Sequence, residues 1–296
     1  MKVLCIGHAT YDIVIPVSSY PVENTKNRVE NILYCGGGPS SNAAYLLGKW
    51  GIDTYFCGLV GDDYESKVIE AELKHVGVNL DYLIKSKDYN TTKSYIIVNA
   101  SNASRTSLAC NKFNKSIDDL DINITPDIIL IDGHEKKLSK KVIEDNPNAI
   151  SVIDAGRCTK DVIELCKICN YIVCSKDFAR DYSKSDDVSV MLDRLVRDFN
   201  KDVVITLESD GCAYYDSRLK IIKSIPTKAV DTTGAGDIFH GAFVYGLTKK
   251  WDIYKILTFA STASGLSVTK LTARKSIFPL KKVEDVYNEL RRCNFY

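Results

Sequence analysis

Short runs of consecutive apolar residues recur along the chain, separated by stretches in which apolar residues return every three or four positions. The runs are residues 3–7 (VLCIG), 54–58 (TYFCG), 128–131 (IILI), 150–153 (ISVI), 171–174 (YIVC) and 202–206 (DVVIT). Runs this short and this continuous predict strands buried on both faces. Residues 62–76 and 188–200 carry helical spacing between them. Farther on, Phe239, Phe243 and Leu247 repeat every four residues, and Ile253, Ile256, Leu257 and Ala260 continue the pattern. The last third is therefore expected to be mainly helical. Strand alternating with helix predicts an α/β fold, with a mostly parallel sheet covered on both faces.

Two stretches depart from this rhythm. Residues 11–35 and 91–110 alternate polar and apolar positions, as in YDIVIPV, NRVENILY and KSYIIVNA. Alternation predicts half-exposed antiparallel strands, and hence a small β-sheet projecting from the α/β body. No internal repeat or low-complexity linker divides the chain, so residues 1–296 read as one domain.

Composition narrows the function. The chain has 296 residues, 45% hydrophobic and 26% charged, which suits a globular domain needing no disulfide or metal staple. A net charge of +1, from 39 basic and 38 acidic residues, gives no basic surface for nucleic acid and favours small-molecule chemistry. Ten cysteines lie scattered without a frame and read as reduced thiols of a cytoplasmic protein. Cys166 and Cys169 form a single CxxC within a helical pattern. Without a second pair they suit burial on a helix face better than zinc. Gly7, His8 and Asp12 interrupt the first apolar run, so it is expected to be neither signal peptide nor membrane anchor.

The most informative segment is 229–243, AVDTTGAGDIFHGAF. Gly234, Ala235 and Gly236 are small residues at the mouth of an amphipathic helix. Backbone N–H groups aimed outward there, together with the helix dipole, form an anion site suited to a phosphoryl group. Asp237 follows in the first turn, where the dipole favours the ionised carboxylate. It could accept the proton of a substrate hydroxyl while the amides hold the transferring phosphate. The plain structural alternative is a glycine-rich helix start with an N-terminal Asp.

A second constellation, CGGGPSSNAA at 35–44, opens a helix with Ala43, Leu46, Leu47 and Trp50 on one face. Its glycines permit close approach of a ligand to backbone, and Asn42 offers both donor and acceptor to a polyhydroxylated molecule. No Gly-Lys-Ser/Thr follows, so it is not a P-loop. Asp12, just past the first strand, is a carboxylate able to hold sugar hydroxyls.

Asp12, GGPSSN at 37–42 and DTTGAGD at 231–237, in this order and this widely separated, resemble the ribokinase-like, or phosphofructokinase-B-type, carbohydrate kinases. The resemblance spans nearly the whole chain. It implies a three-layer α/β/α fold whose projecting strands form a lid. It also implies ATP-dependent phosphorylation of a hydroxyl on a sugar or sugar-like molecule, in the manner of fructokinase or ribokinase. Asp237 would be the base and Gly234, Ala235 and Gly236 the anion hole. Asp12, Gly37, Gly38 and Asn42 would bind the acceptor. Within 101–106, Arg105 resembles a lid arginine sent toward the phosphates, as in ketohexokinases. ATP would lie along 206–211, at Thr206, Glu208 and Gly211, and beside Ala263 and Ser264. Magnesium (Mg2+) is implied, and residues 269–276 occupy the region where relatives bind potassium (K+). Pairing through the lid implies a homodimer.

The chain departs from the family pattern at 175–179, SKDFA. Many members carry Asn-x-x-Glu there to organise magnesium, whereas Ser175 and Phe178 stand here, so no metal ligand is assigned. Pro39 also stands where ketohexokinases place a further polar residue. A nucleoside kinase of the same fold, or a catalytically silent sugar- or nucleotide-binding relative, are the alternative readings. A dehydrogenase is disfavoured because the first strand lacks Rossmann glycine spacing.

Overall fold

In a computed structural model that describes residues 1–110 and 115–296, thirteen strands form two sheets. They are β1 (Lys2–Ile6), β2 (Thr10–Val17), β3 (Leu33–Gly37), β4 (Asp53–Gly61), β5 (Asn79–Ser86), β6 (Thr92–Asn99) and β7 (Ser104–Cys110). After these come β8 (Ile128–Ile131), β9 (Ile150–Ala155), β10 (Tyr171–Ser175), β11 (Asp202–Thr206), β12 (Cys212–Asp216) and β13 (Arg218–Ile222). The helices are α1 (Pro39–Lys49), α2 (Tyr64–His75), α3 (Lys136–Asp145), α4 (Lys160–Cys166), α5 (Lys176–Ser183) and α6 (Val188–Phe199). Three more, α7 (Ala235–Thr248), α8 (Ile253–Ser267) and α9 (Leu280–Arg292), come after the last strand.

The large sheet has the order β13-β12-β11-β10-β9-β8-β1-β4-β5. Its pairs are parallel from β5 to β11, and only β12 is reversed, pairing antiparallel with both β11 and β13. The continuous apolar runs are explained by this position. Within β1, Val3 and Cys5 face one core and Leu4 and Ile6 the other, with all four fully buried. That is the period of two a strand imposes, with both faces covered. The first core takes in α1, α2, α7, α8 and α9 through residues such as Leu46, Ile69, Phe243, Leu257 and Val283. The second takes in α3 to α6 through Leu138, Leu165, Phe178 and Leu195. The architecture is the expected three-layer α/β/α.

Polar residues set several of the helix starts. Asp63 caps α2 in a reciprocal box with Ser66, while Asp187 and Asp252 accept backbone N–H groups at the starts of α6 and α8. Such caps contribute roughly 1 kcal/mol each.

The lid is a second sheet of order β3-β2-β6-β7. Its inner face holds Val14, Ile96 and Val98, with Leu33 and Leu271 packed against them. Three expectations need correction. The central pair β2–β6 is parallel, not antiparallel, because the chain leaves the lid through α1, β4, α2 and β5 before returning from the same end. The predicted strand NRVENILY contributes only its last two residues, since β3 pairs with β2 only from Leu33 onward and the segment before it is largely exposed. The last third carries β11 and then the antiparallel β12–β13 hairpin before its helices begin.

Cys166 closes α4 and Cys169 lies just beyond it, both buried; all ten cysteines are free thiols. Among the described residues no helix is long and apolar enough to cross a membrane.

A pair of small residues fixes how closely α1 and α7 approach. Gly241 on α7 lies against Ala43 on α1, and a Cβ at Gly241 would stand 3.3 Å from the Ala43 Cα and 3.2 Å from Leu46 Cδ2. The two backbones can therefore pack almost in contact. Replacing Gly241 with Val should destabilise the fold by about 1–3 kcal/mol through overpacking, read by urea unfolding. An unchanged midpoint would mean that the helices can separate freely.

Candidate active site

The topology marks the place for a site. From β1 the chain runs outward through β4 and β5, then returns to β8 on the other side and continues to β11. The strand order reverses beside β1, and in open α/β sheets a crevice opens there, outside the carboxyl ends of the strands. Gly7 and His8 leave β1 at this point, Asp132 leaves β8, and the N-termini of α1 and α7 point into the same region.

Asp231, almost wholly buried, organises the loop before α7. Its Oδ1 accepts the Thr233 N–H at 2.8 Å and the Thr233 hydroxyl at 2.6 Å, and its Oδ2 accepts the Thr272 N–H at 2.8 Å. The chain then turns through Gly234, which adopts a left-handed conformation (φ 76°) and packs so tightly that a Cβ there would collide with the Ala273 Cβ. Helix α7 starts at Ala235. First-turn amides have no intrahelical carbonyl to bond, and Gly236 is exposed, with open space where a side chain would be. An anion can approach that space against the positive end of the helix.

Asp237 is half-buried in this first turn and accepts the Asn42 Nδ2–H group at Oδ2, 2.7 Å away. Burial pushes its carboxyl above the ordinary value, against the Asn42 hydrogen bond and the charges of His240 and Arg105. The helix N-terminus alone therefore does not set its ionisation, contrary to the expectation from sequence. A carboxylate with a raised proton affinity is a better proton acceptor.

The acceptor-side candidates assemble on the lid's inner face and the start of α1. Asp12 on β2 is buried, with Oδ1 accepting the Thr10 hydroxyl at 2.7 Å. Burial pushes its pKa up to about 6, against the Thr10 hydrogen bond and the charge of Arg274. Gly37, on β3, lies so close that its missing Cβ leaves space occupied by the Asp12 carboxylate. Gly38 precedes α1, and Asn42, 2% exposed, reaches across to Asp237.

Of the other candidates, Arg105 and Ser264 contact the segment 232–235, whereas Thr206, Glu208 and Gly211 lie at and after the end of β11. Arg105 on β7 donates from Nη1 to the Thr232 carbonyl at 3.0 Å and the Thr232 hydroxyl at 2.7 Å, so the lid reaches the anion loop. Thr206 ends β11, Glu208 lies in the exposed turn after it, and Gly211 leads into β12. Ser264 on α8 donates to the Ala235 carbonyl at 2.8 Å, tying α8 to the anion loop, while its neighbour Ala263 is buried in the core. Ser175 accepts the Phe178 N–H and caps α5, and Phe178 is fully buried. The departure from Asn-x-x-Glu thus reads as a helix cap followed by a core residue.

Sequence reasoning missed a second set of residues. Asp132 accepts N–H groups from His8 at 2.8 Å, Ser40 at 3.2 Å and His134 at 3.1 Å, joining the ends of β1 and β8 to the start of α1. Burial opposes its ionisation, yet His134 and these donors hold its carboxyl well below the usual range. The His8 and His134 rings stack at 4.5 Å beside it. Asp154, whose pKa burial raises to about 6, lies 3.4 Å from the His240 Nδ1. Arg274, 2% exposed, lies beneath β3 and contacts Asn42. The only sequence signals were polar residues directly after apolar runs, as in ILIDGH and SVIDAG.

Comparison with known proteins gives a consistent picture. The family model for pfkB family carbohydrate kinases matches residues 1–279. The chain is 26% identical over 277 residues to a nucleoside kinase of Methanocaldococcus jannaschii, covering 89% of each chain. It is 26% identical over 306 residues to a ribokinase of Staphylococcus aureus, covering 96% of this chain and 99% of that one. The crystal structure of a putative ribokinase from Agrobacterium tumefaciens shares the fold, with a TM-score of 0.90, 21% identity and 98% of each chain covered.

Proposed function

We propose that this chain, which belongs to the pfkB family of carbohydrate kinases, transfers the terminal phosphoryl group of ATP to a hydroxyl of a sugar or sugar-like acceptor, with Asp237 taking the proton. The observation that carries the assignment is a carboxylate of raised proton affinity, fixed by Asn42, in the first turn of a helix whose mouth is open to an anion. The acceptor lies between lid and body, held by Asp12, Gly37, Gly38 and Asn42. Gly234, Ala235 and Gly236 present amides to the transferring phosphate. Arg105 adds positive charge from the lid, which helps exclude water. The nucleotide extends past Ser264 and Ala263 toward Thr206, Glu208 and Gly211. Residues 1–296 act as one kinase domain.

Magnesium fits this site as a passenger on the nucleotide. Among the described residues no group of three His, Cys, Asp or Glu side chains could hold a metal by itself. Carried in with the nucleotide, the ion would neutralise phosphate charge. Potassium activation is part of the proposal, because Thr272, within residues 269–276, donates its N–H to the buried Asp231 carboxylate that organises the loop before α7. Free thiols throughout suit a cytoplasmic location. A nucleoside is the second acceptor class, favoured by the nucleoside-kinase relative.

A homodimer through the lid is supported by one row of side chains. Tyr34, Ile13, Tyr95 and Leu108 lie side by side across β3, β2, β6 and β7, and Tyr34, Tyr95 and Leu108 are exposed. Sedimentation should show a dimer that Tyr95→Glu with Leu108→Glu converts to monomer; a monomeric parent chain would remove the assembly.

The catalytic assignment is tested by ATP consumption in reducing buffer with Mg2+ and either K+ or Na+, against a panel of sugars and nucleosides. Turnover should concentrate on one compound and be faster with K+. Asp237→Asn should lower kcat by roughly 10²–10⁴-fold without lowering the melting temperature. Undiminished turnover in that variant would remove Asp237 from the chemistry. Saturable binding without turnover would favour the silent relative.

Asp12 sets a pH signature. Its raised pKa of about 6 means that it is ionised above that pH and protonates below it. Below about pH 6 the acceptor KM should rise about tenfold per pH unit while the ATP KM stays flat. An acceptor KM constant from pH 7 to 5 would contradict a role for the Asp12 carboxylate.

A further inference from the structure

We propose that Arg274 is a positioning residue for this reaction, one that orients the Asn42 amide so that its NH2 end is fixed on Asp237. The inference rests on the kinase reading of Asp237, but its geometry is independent of the acceptor.

An asparagine amide has a donor end and an acceptor end of nearly equal size, and rotation about its last bond exchanges them. Facing a carboxylate, the two ends have opposite consequences. The NH2 stabilises the ionised form, whereas the oxygen repels it. What fixes the choice is the partner at the far end. Here that partner is the Arg274 Nε, a donor only, 3.3 Å from the Asn42 Oδ1. With the oxygen engaged there, Nδ2 faces Asp237 at 2.7 Å.

Arg274 is itself held on several sides. Its Nη1 donates to Glu72 Oε2 at 2.6 Å, and its Nη2 donates to the Ser41 hydroxyl. Glu72, on α2, also accepts the Gly36 N–H at 2.8 Å. The guanidinium, Nη1 foremost, occupies the space that a side chain at residue 36 would need. The Tyr45 ring lies 5.3 Å from the guanidinium carbon. A relay results from Glu72 on α2, through Arg274 and Asn42 on α1, to Asp237 on α7. Only a planar fork can meet Glu72, Ser41 and Asn42 together. Lysine would keep the charge opposite Glu72 and lose the bond to Asn42.

Other groups face the two ends of the relay. Asp237 also feels His240 on its own helix, Arg105 from β7, Asp12 on β2, Asp132 after β8 and Asp154 on β9. Arg274 feels Asp12 on β2, Cys35 on β3 and Tyr45 on α1, as well as Glu72. Arg274→Lys leaves all of these charges in place, so a change in Asp237 titration would report the Asn42 orientation.

The test is a carboxyl 13C NMR titration of the full chain labelled at aspartate, with the Asp237 resonance identified by its loss in Asp237→Asn. Arg274→Lys should raise the Asp237 pKa by about one unit. Asn42→Ala should raise it in the same direction, and adding Arg274→Lys to Asn42→Ala should produce no further shift. If Arg274→Lys does not fold, Glu72→Gln, which loosens the same anchor, should give a smaller upward shift. A merely structural Arg274 would lower the melting temperature without moving the Asp237 titration, and that result overturns the proposal. So does a shift from Arg274→Lys that persists in the Asn42→Ala background. If the titrations behave as expected but no sugar or nucleoside is phosphorylated, the positioning stands and the kinase reading falls.

Discussion

The hydrogen bond from the Asn42 amide to the Asp237 carboxylate joins residues 195 apart in the chain, and its two ends sit on helices that meet at their N-termini. Ala43 and Gly241 permit that meeting. Asn42 precedes Ala43, and Asp237 lies one turn before Gly241, so a close contact between α1 and α7 lies within one turn of the bond. Both helices rest on the same core, and the β1–β8 reversal opens the crevice above them. Backbone spacing, helix polarity and strand order therefore converge on one polar contact. Because the carboxylate is drawn out of water, that contact carries more weight than it would at the surface.

Around this bond the carboxylates divide by environment. Asp132 has three backbone donors and a histidine partner, and stays ionised well below the usual range. Asp12 and Asp154, in which burial dominates, are pushed up to about 6, and Asp237 is raised by the same cause. The first is a structural anion that ties strand ends to a helix start. The others have proton affinities that a bound ligand can change. A cleft so rich in acidic groups gains nothing from net charge when ATP arrives. On the proposed reading the nucleotide would be held locally, by first-turn amides, by Arg105 and through the magnesium it would carry.

Much of this was legible in the sequence because it depends on period and spacing. The short apolar runs marked the core strands, and DTTGAGD and GGPSSN marked the two helix mouths. What escaped depends on pairing across the chain. Strand β5 and the β12–β13 hairpin lie at the sheet's edges, where half-exposed residues weaken the pattern. The parallel β2–β6 pairing of the lid has no local signature, since alternation reports exposure and not strand direction. Arg274 and Glu72 were unreadable for a stronger reason. A partly buried ion pair looks in sequence like two ordinary surface charges, and only the fold shows that its arginine lies beneath the glycines of β3.

The central claim is that Asp237, held by Asn42, meets the hydroxyl that receives the phosphoryl group. It is tested most directly by a crystal structure of the chain with its acceptor, Mg2+ and a non-hydrolysable ATP analogue. One acceptor hydroxyl should lie within about 3 Å of an Asp237 carboxylate oxygen, with the terminal phosphate over the amides of residues 234–237. An acceptor bound with its hydroxyls turned away from Asp237, or a phosphate chain directed elsewhere, would contradict it.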